Sequence, residues 1–163
     1  MKLASSILSL AIIAGLSQSA YAADNRTENA SKGEVLVLLS SESVMQLTDG
    51  KTEPTGYYLN EFGVPAKALG DAGYRLVLAT PKGNAPSVDK KSVIPQYFDG
   101  DETQMREIQT FVASLDGIND TLSLNEVIAQ GLDEFEGVFI PGGHAPLIDL
   151  ANTVAVGSAK LEL

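Results

Sequence analysis

Glu34 to Leu39 (EVLVLL) is apolar without alternation after its first residue, the pattern of a strand buried on both faces of a parallel sheet. Ser40 to Gly56 is polar and turn-rich, and reads as a loop at that strand's carboxyl end. Pro65 to Ala72 reads as a helix, with Pro65 in the first turn where no N–H is needed. Tyr58, Phe62, Ala66 and Leu69 also fall at helical spacing, which predicts an earlier start with a bend at Gly63 and Pro65. Asp71-Ala72-Gly73 stops the helix, and Tyr74 to Ala79 (YRLVLA) is the next strand. Strand, helix and strand within about 45 residues make a βαβ unit, with a parallel pair and a right-handed crossover.

Gly83 to Gly100 contains Pro86 and Pro95 and predicts a long excursion with little regular structure. Glu102 to Leu115 places Met105, Ile108, Val112 and Leu115 on one stripe, an amphipathic helix with acidic residues at its positive end. Leu124 to Gln130 is a shorter helix stopped by Gly131. Gly137 to Ile140 (GVFI) is a third short buried strand that ends at Pro141-Gly142-Gly143. The pattern predicts an α/β fold, the front half of a doubly wound parallel sheet.

The amino terminus has a different logic. After Met1-Lys2 comes an apolar run of ten positions, Ile7 to Leu16 (ILSLAIIAGL), and then small residues at −3 and −1 of a cut after Ala22. That is the pattern of a secretory signal peptide, and the run is shorter than the roughly 20 residues a membrane span requires. The short charged start suggests a bacterial signal and a periplasmic destination. Residues 23–32 read as a solvated leader, 33–150 as the domain and 151–163 as a tail.

Composition narrows the chemistry. The 163 residues carry 11 Lys and Arg against 21 Asp and Glu, for a formal charge of −10. Such a surface repels phosphate backbones and anionic membranes, which argues against nucleic-acid and membrane partners. With no cysteine and one histidine, disulfides, zinc–thiolate sites, multi-histidine metal sites and a thiol nucleophile are excluded in this chain. No metal or other cofactor is expected.

Ligands of open parallel sheets bind beyond the carboxyl ends of the strands. Pro141-Gly142-Gly143-His144 follows a strand directly, and paired glycines leave backbone N–H groups uncovered for an oxyanion. An ordinary turn is the competing reading. Glu61 lies four residues before Pro65, where a partly desolvated carboxylate serves as general acid or base. An exposed helix-start glutamate is the alternative. His144 is a candidate substrate contact, or else a loop histidine bonded to backbone. Asp99 to Glu102 has the acidic start of a calcium loop without its alternating ligands, and reads as a solvated turn. Asp133, Glu134 and Glu136 read as a solvated face.

Taken together, Val35 to Ser40, Thr55 to Phe62 with Pro65, Asp71 to Tyr74, Ala79-Thr80-Pro81-Lys82-Gly83 and Phe135 to His144 resemble the ThiJ/PfpI family of the class I glutamine amidotransferase-like superfamily. The Thr-Gly-aromatic opening, the Ala-Thr-Pro-Lys-Gly strand end and the Pro-Gly-Gly-His turn point to its chaperone and glyoxalase III-like branch. The resemblance implies a flavodoxin-like sandwich with a nucleophilic cysteine on a strained strand-to-helix turn. It implies that Glu61 is the conserved carboxylate exchanging protons with substrate, and that Gly142 and Gly143 supply oxyanion backbone. The implied activities are hydro-lyase or hydrolase chemistry: methylglyoxal to lactate without glutathione, or repair of glycated proteins. Holding of unfolded proteins is the implied non-catalytic role, and a homodimer is the implied assembly.

The chain departs from that family at the nucleophile. The family's cysteine sits on the core strand after the Pro-Gly-Gly turn, and this sequence runs only 20 residues beyond Gly143, as far as Leu163. Ser158 is a poor substitute, because the distance is too short for strand, helix and strand and no glycine follows it. The expectation is a truncated family member, catalytically silent as written, with an apolar sheet edge left open.

Overall fold

The computed structural model describes residues 31–151. The signal segment with its cut after Ala22, most of the leader, and all of the tail after Ala151, including Ser158, lie outside the described residues. Strand β1 (Glu34–Leu38) leads through a hairpin, β2 (Val44–Gln46) and β3 (Thr52–Pro54), to helix α1 (Leu59–Asp71) and strand β4 (Arg75–Thr80). Two short 3-10 turns, Lys90–Ser92 and Pro95–Phe98, precede helix α2 (Glu102–Ser114). Strand β5 (Leu122–Ser123), helix α3 (Leu124–Gln130), strand β6 (Phe135–Phe139) and a last 3-10 turn (Ala145–Leu147) follow.

The main sheet has the order β5-β4-β1-β6, and all its pairings are parallel. β1 is central: Leu36 faces Val77 of β4 and Val138 of β6. Burial on both sides explains its unbroken apolar run. On one face Val37, Leu39 and Leu78 pack against Phe62 and Ala66 of α1 and Ile108 and Val112 of α2. On the other, Leu36, Leu38 and Ala79 pack against Leu124 and Val127 of α3, with Leu132 and Leu150. A parallel sheet with helices on both faces is the flavodoxin-like α/β arrangement the sequence predicted.

The chain moves outward from β1 to β4 and β5, then crosses to the far side of β1 with β6. The direction of winding reverses between β1 and β6, so their carboxyl ends form a switch point. β6 has no partner on its outer edge among the described residues. Beside that edge, Pro65, Ala68 and Leu69 of α1 and Val138, Phe139 and Ile140 line an open apolar groove of about 600 Å³.

Several local expectations change. The loop over 40–56 contains the β2–β3 hairpin, whose three-residue strands (VMQ and TEP) are too short to show a period. The sheet has four strands rather than three, because β5 adds a two-residue pairing to β4. The excursion over 83–100 contains two 3-10 turns. β6 begins at Phe135 rather than Gly137, with a register shift opposite Glu34 and Val35. Helix α1 begins at Leu59 and carries Pro65 in its interior. Proline there removes the N–H that would otherwise bond to the Glu61 carbonyl, and packing of the flanking turns carries the helix through.

Candidate functional site

Glu61 stands in the first turn of α1, and its carboxylate lies against the backbone of Gly142 just beyond β6. A Cβ built on Gly142 would sit 2.0 Å from Glu61 Oε2 and 2.8 Å from its Cδ. The carboxylate therefore occupies space that only a glycine leaves free. Gly143 has φ +122°, and a Cβ there would meet the Gly56 carbonyl oxygen at 2.4 Å. Both the conformation and the contact require glycine. Gly142 is exposed and Gly143 half-buried, so this backbone is open to solvent.

The two segments are joined by backbone. Tyr58 N–H donates to the Gly142 carbonyl at 3.3 Å, and Tyr57 bridges both Gly143 and Val88. Tyr57 N–H donates to the Ser87 carbonyl, and Asp89 N–H returns a bond to the Tyr57 carbonyl, both at 2.9 Å. Three stretches, 56–58, 87–89 and 142–143, thus converge on the start of α1. Ser92, fully buried, accepts the Leu59 amide at 2.8 Å and fixes where that helix begins.

His144 stacks edge-on against Tyr58, with ring centroids 5.6 Å apart. Its Nδ1 lies 4.0 Å from Oδ2 of the buried Asp89, beyond hydrogen-bond reach. Tyr97 meets the Tyr58 ring edge-on at 5.5 Å. Burial, then the Asp89 carboxylate and Tyr97, push the Tyr58 hydroxyl above the usual phenol range. Two buried polar atoms near this cluster, Thr55 Oγ1 and Asn60 Oδ1, have no hydrogen-bond partner in the structure.

The structure brings the segment Gly142-Gly143-His144 against the start of α1, where Glu61 stands. It leaves Glu61 exposed rather than partly desolvated, because nothing among the described residues covers it. Asp99 to Glu102 forms a turn in which Asp101 caps α2, accepting from Thr103 and Gln104 N–H. Asp133, Glu134 and Glu136 are exposed. Sequence reasoning missed Asp89, which caps the short turn that follows it, and Ser92, which caps α1 from 33 residues away. It also missed Asp149, a carboxylate within the apolar stretch Leu147 to Leu150.

No family model matches the sequence, and no curated protein does. Solved structures do match the fold. One is the 24-kDa rapid encystment protein of Francisella tularensis, with a TM-score of 0.63 at 22% identity over 80% of this chain and 53% of that one. Another is glyoxalase III of Candida albicans, with a TM-score of 0.56 at 25% identity over 76% of this chain and 49% of that one. The first likeness shows the fold, and the second, at 25% identity, supports the ThiJ/PfpI-like superfamily to which the motifs pointed. The chain spans about half the length of the structures it matches.

Proposed function

We propose that this chain is a ThiJ/PfpI-like protein supplying the carboxylate-and-glycine side of a site for a small reactive carbonyl such as methylglyoxal. The observation that carries the reading is the Glu61 carboxylate seated against Gly142, beyond the strand ends at the switch point. Conversion of methylglyoxal to lactate adds one water, oxidises the aldehyde carbon and reduces the ketone carbon, so no external redox partner is needed. Glu61 suits the proton transfer between those carbons, and the Gly142-Gly143 backbone suits the oxyanion that develops. His144 and Tyr58 form a wall for the bound carbonyl.

The family chemistry also needs a cysteine, and this chain contains none. We therefore propose that it binds the carbonyl without turning it over. The unpartnered Thr55 and Asn60 oxygens fit a site completed by a further group. The test is to add methylglyoxal to the full chain while following amide shifts and lactate. Shifts at Tyr58, Gly142 and Gly143, weakened in Glu61→Gln, with no lactate, are expected. Lactate production cut by Glu61→Gln would overturn the silence, and unmoved amides would overturn the site. Protein deglycation is the same reading with a glycated side chain as substrate.

A non-catalytic holdase role is favoured by one separate observation, the open apolar groove between α1 and β6. Suppressed aggregation of an unfolded client, abolished by Leu69→Glu, supports it; no suppression removes it. A periplasmic location after cleavage at Ala22, and a homodimer, belong to the same proposal. Cell fractionation with amino-terminal sequencing tests the first, and sedimentation velocity the second.

A further inference from the structure

The segment that carries Gly142 and Gly143 needs something to hold it, since neither residue has a side chain. Ala145 and Leu150, both buried, press the segment onto the sheet, but apolar contact is not directional. Beyond the backbone bonds to Tyr57 and Tyr58, directional anchoring by a side chain comes from Asp149. Its Oδ1 accepts the Ser40 hydroxyl at 2.7 Å, and its Oδ2 accepts the Ser41 N–H at 2.8 Å. Both serines are buried at the carboxyl end of β1. Bonds to a carboxylate from partners more than 100 residues away in sequence fix the loop after β6 to the strand beside it.

The same serines continue the connection across the sheet. Ser41 Oγ accepts the Lys82 N–H at 2.9 Å, and the Ser41 carbonyl accepts the Asn84 side-chain amide at 3.1 Å. The Asn84 carbonyl in turn accepts the Thr80 and Thr121 hydroxyls, at 3.1 and 2.9 Å. Thr121 precedes β5, Thr80 and Asn84 stand at the end of β4, Ser40 and Ser41 follow β1, and Asp149 follows β6. The polar chain thus follows the spatial order of the strands, along the carboxyl ends of β6, β1 and β4 and to the start of β5.

We infer that Asp149 is a positioning residue for the candidate site: through Ser40 and Ser41 it sets the register of the Gly142-Gly143 backbone against Glu61. The functional meaning of that register rests on the reading proposed above, while the positioning itself does not. Asp149 need not touch a ligand to act. It works by holding the loop whose carbonyl, at Gly142, receives the Tyr58 amide.

The test uses the isotopically labelled full chain without any substrate. It follows hydrogen exchange at the Tyr58 amide and the carbon-13 shift of the Glu61 carboxyl, neither of which belongs to a group that Asp149 bonds. In Asp149→Ala, Tyr58 exchange should quicken by about tenfold or more relative to Leu36 and Val37 of β1, and the Glu61 signal should move. Ser40→Ala should produce a smaller change at the same two probes, and Asp149→Asn an intermediate one. Quickening that is equal at Tyr58 and β1, or an unmoved Glu61 signal, would reduce Asp149 to a stability residue and overturn the inference. If Asp149→Ala does not fold, Ser40→Ala and Asp149→Asn decide by the same comparison. A failed methylglyoxal response alongside a positive result here would strike the functional reading alone.

Discussion

Ser92 Oγ accepts the amide of Leu59 at 2.8 Å, so a serine 33 residues downstream caps the helix that bears Glu61. The same hydroxyl donates to the Asp89 carbonyl at 2.6 Å. α1 therefore has no side-chain cap from its own N-cap residue, Tyr58, and borrows one from the 3-10 turn at Lys90–Ser92. The position of Glu61 is set by contacts distant in sequence.

Removing that hydroxyl leaves a buried N–H without an acceptor. Ser92→Ala should cost about 1–3 kcal/mol of stability, and Ser92→Thr much less if the methyl is accommodated. Urea unfolding measures both. An alanine variant as stable as the parent would show that the Leu59 amide finds another acceptor.

Gly142 and Gly143 should respond differently to alanine. At Gly142 the added methyl meets the end of a flexible glutamate, which can swing away. Gly142→Ala is expected to fold with nearly parental stability and to displace the Glu61 carboxylate, seen as a moved carbon-13 signal. At Gly143 the methyl meets the backbone carbonyl of Gly56, and the φ of +122° disfavours any side chain. Gly143→Ala should lose about 1–3 kcal/mol or more. Equal losses from the two changes would contradict the geometry.

A third glycine tests how closely the two helices on one face of the sheet approach. A Cβ at Gly63 would stand 2.3 Å from Ile108 Cγ2 and 3.0 Å from Val112 Cγ2. Gly63→Ala gains about 1 kcal/mol of helix propensity but overpacks the α1–α2 contact, at a cost of about 1–3 kcal/mol. Net destabilisation is expected, and Ile108→Leu in the same chain, which removes the γ2 methyl that the new Cβ would meet, should recover part of it. Additive effects of the two substitutions would mean that they do not share a contact.

The β1 run and the α2 stripe could be read from sequence because burial imposes a period, and Met105, Ile108 and Val112 are buried as that period requires. Pro65 was misleading: proline disfavours a helix interior locally, yet Leu59, Phe62 and Ala66 are all buried around it and outweigh that preference. β5 is two residues long, too short for any period to register. For the candidate site, Glu61 and the glycine pair were singled out by their place beyond the strand ends and by the family resemblance, since each alone also reads as an ordinary helix start or turn. Ser92 and Asp149 could not be placed, because each works through a partner far away in the chain. Only the assembled sheet brings Ser40 to Asp149.

The start of α3 offers a pH test with its own internal control. Ser123 Oγ accepts the Glu126 N–H at 3.2 Å, while the Glu126 carboxylate accepts the Ser123 N–H and hydroxyl at 2.8 and 2.7 Å. This reciprocal cap satisfies amides that a helix start otherwise leaves open. The Ser123 hydroxyl first, and its amide second, hold the Glu126 acid below the ordinary carboxylate range. A carboxyl that is a stronger acid folded than unfolded favours folding when ionised. Its contribution is therefore complete above the unfolded-chain range and is lost as pH falls through the lower, folded one. Amide exchange in Leu124–Gln130 should quicken in acid relative to β1, and Glu126→Gln should remove that difference in pH dependence. Glu126 is solvent-facing, so salt should weaken the effect. A parental and a glutamine chain with the same acid profile in this helix would show that the cap contributes nothing through its charge.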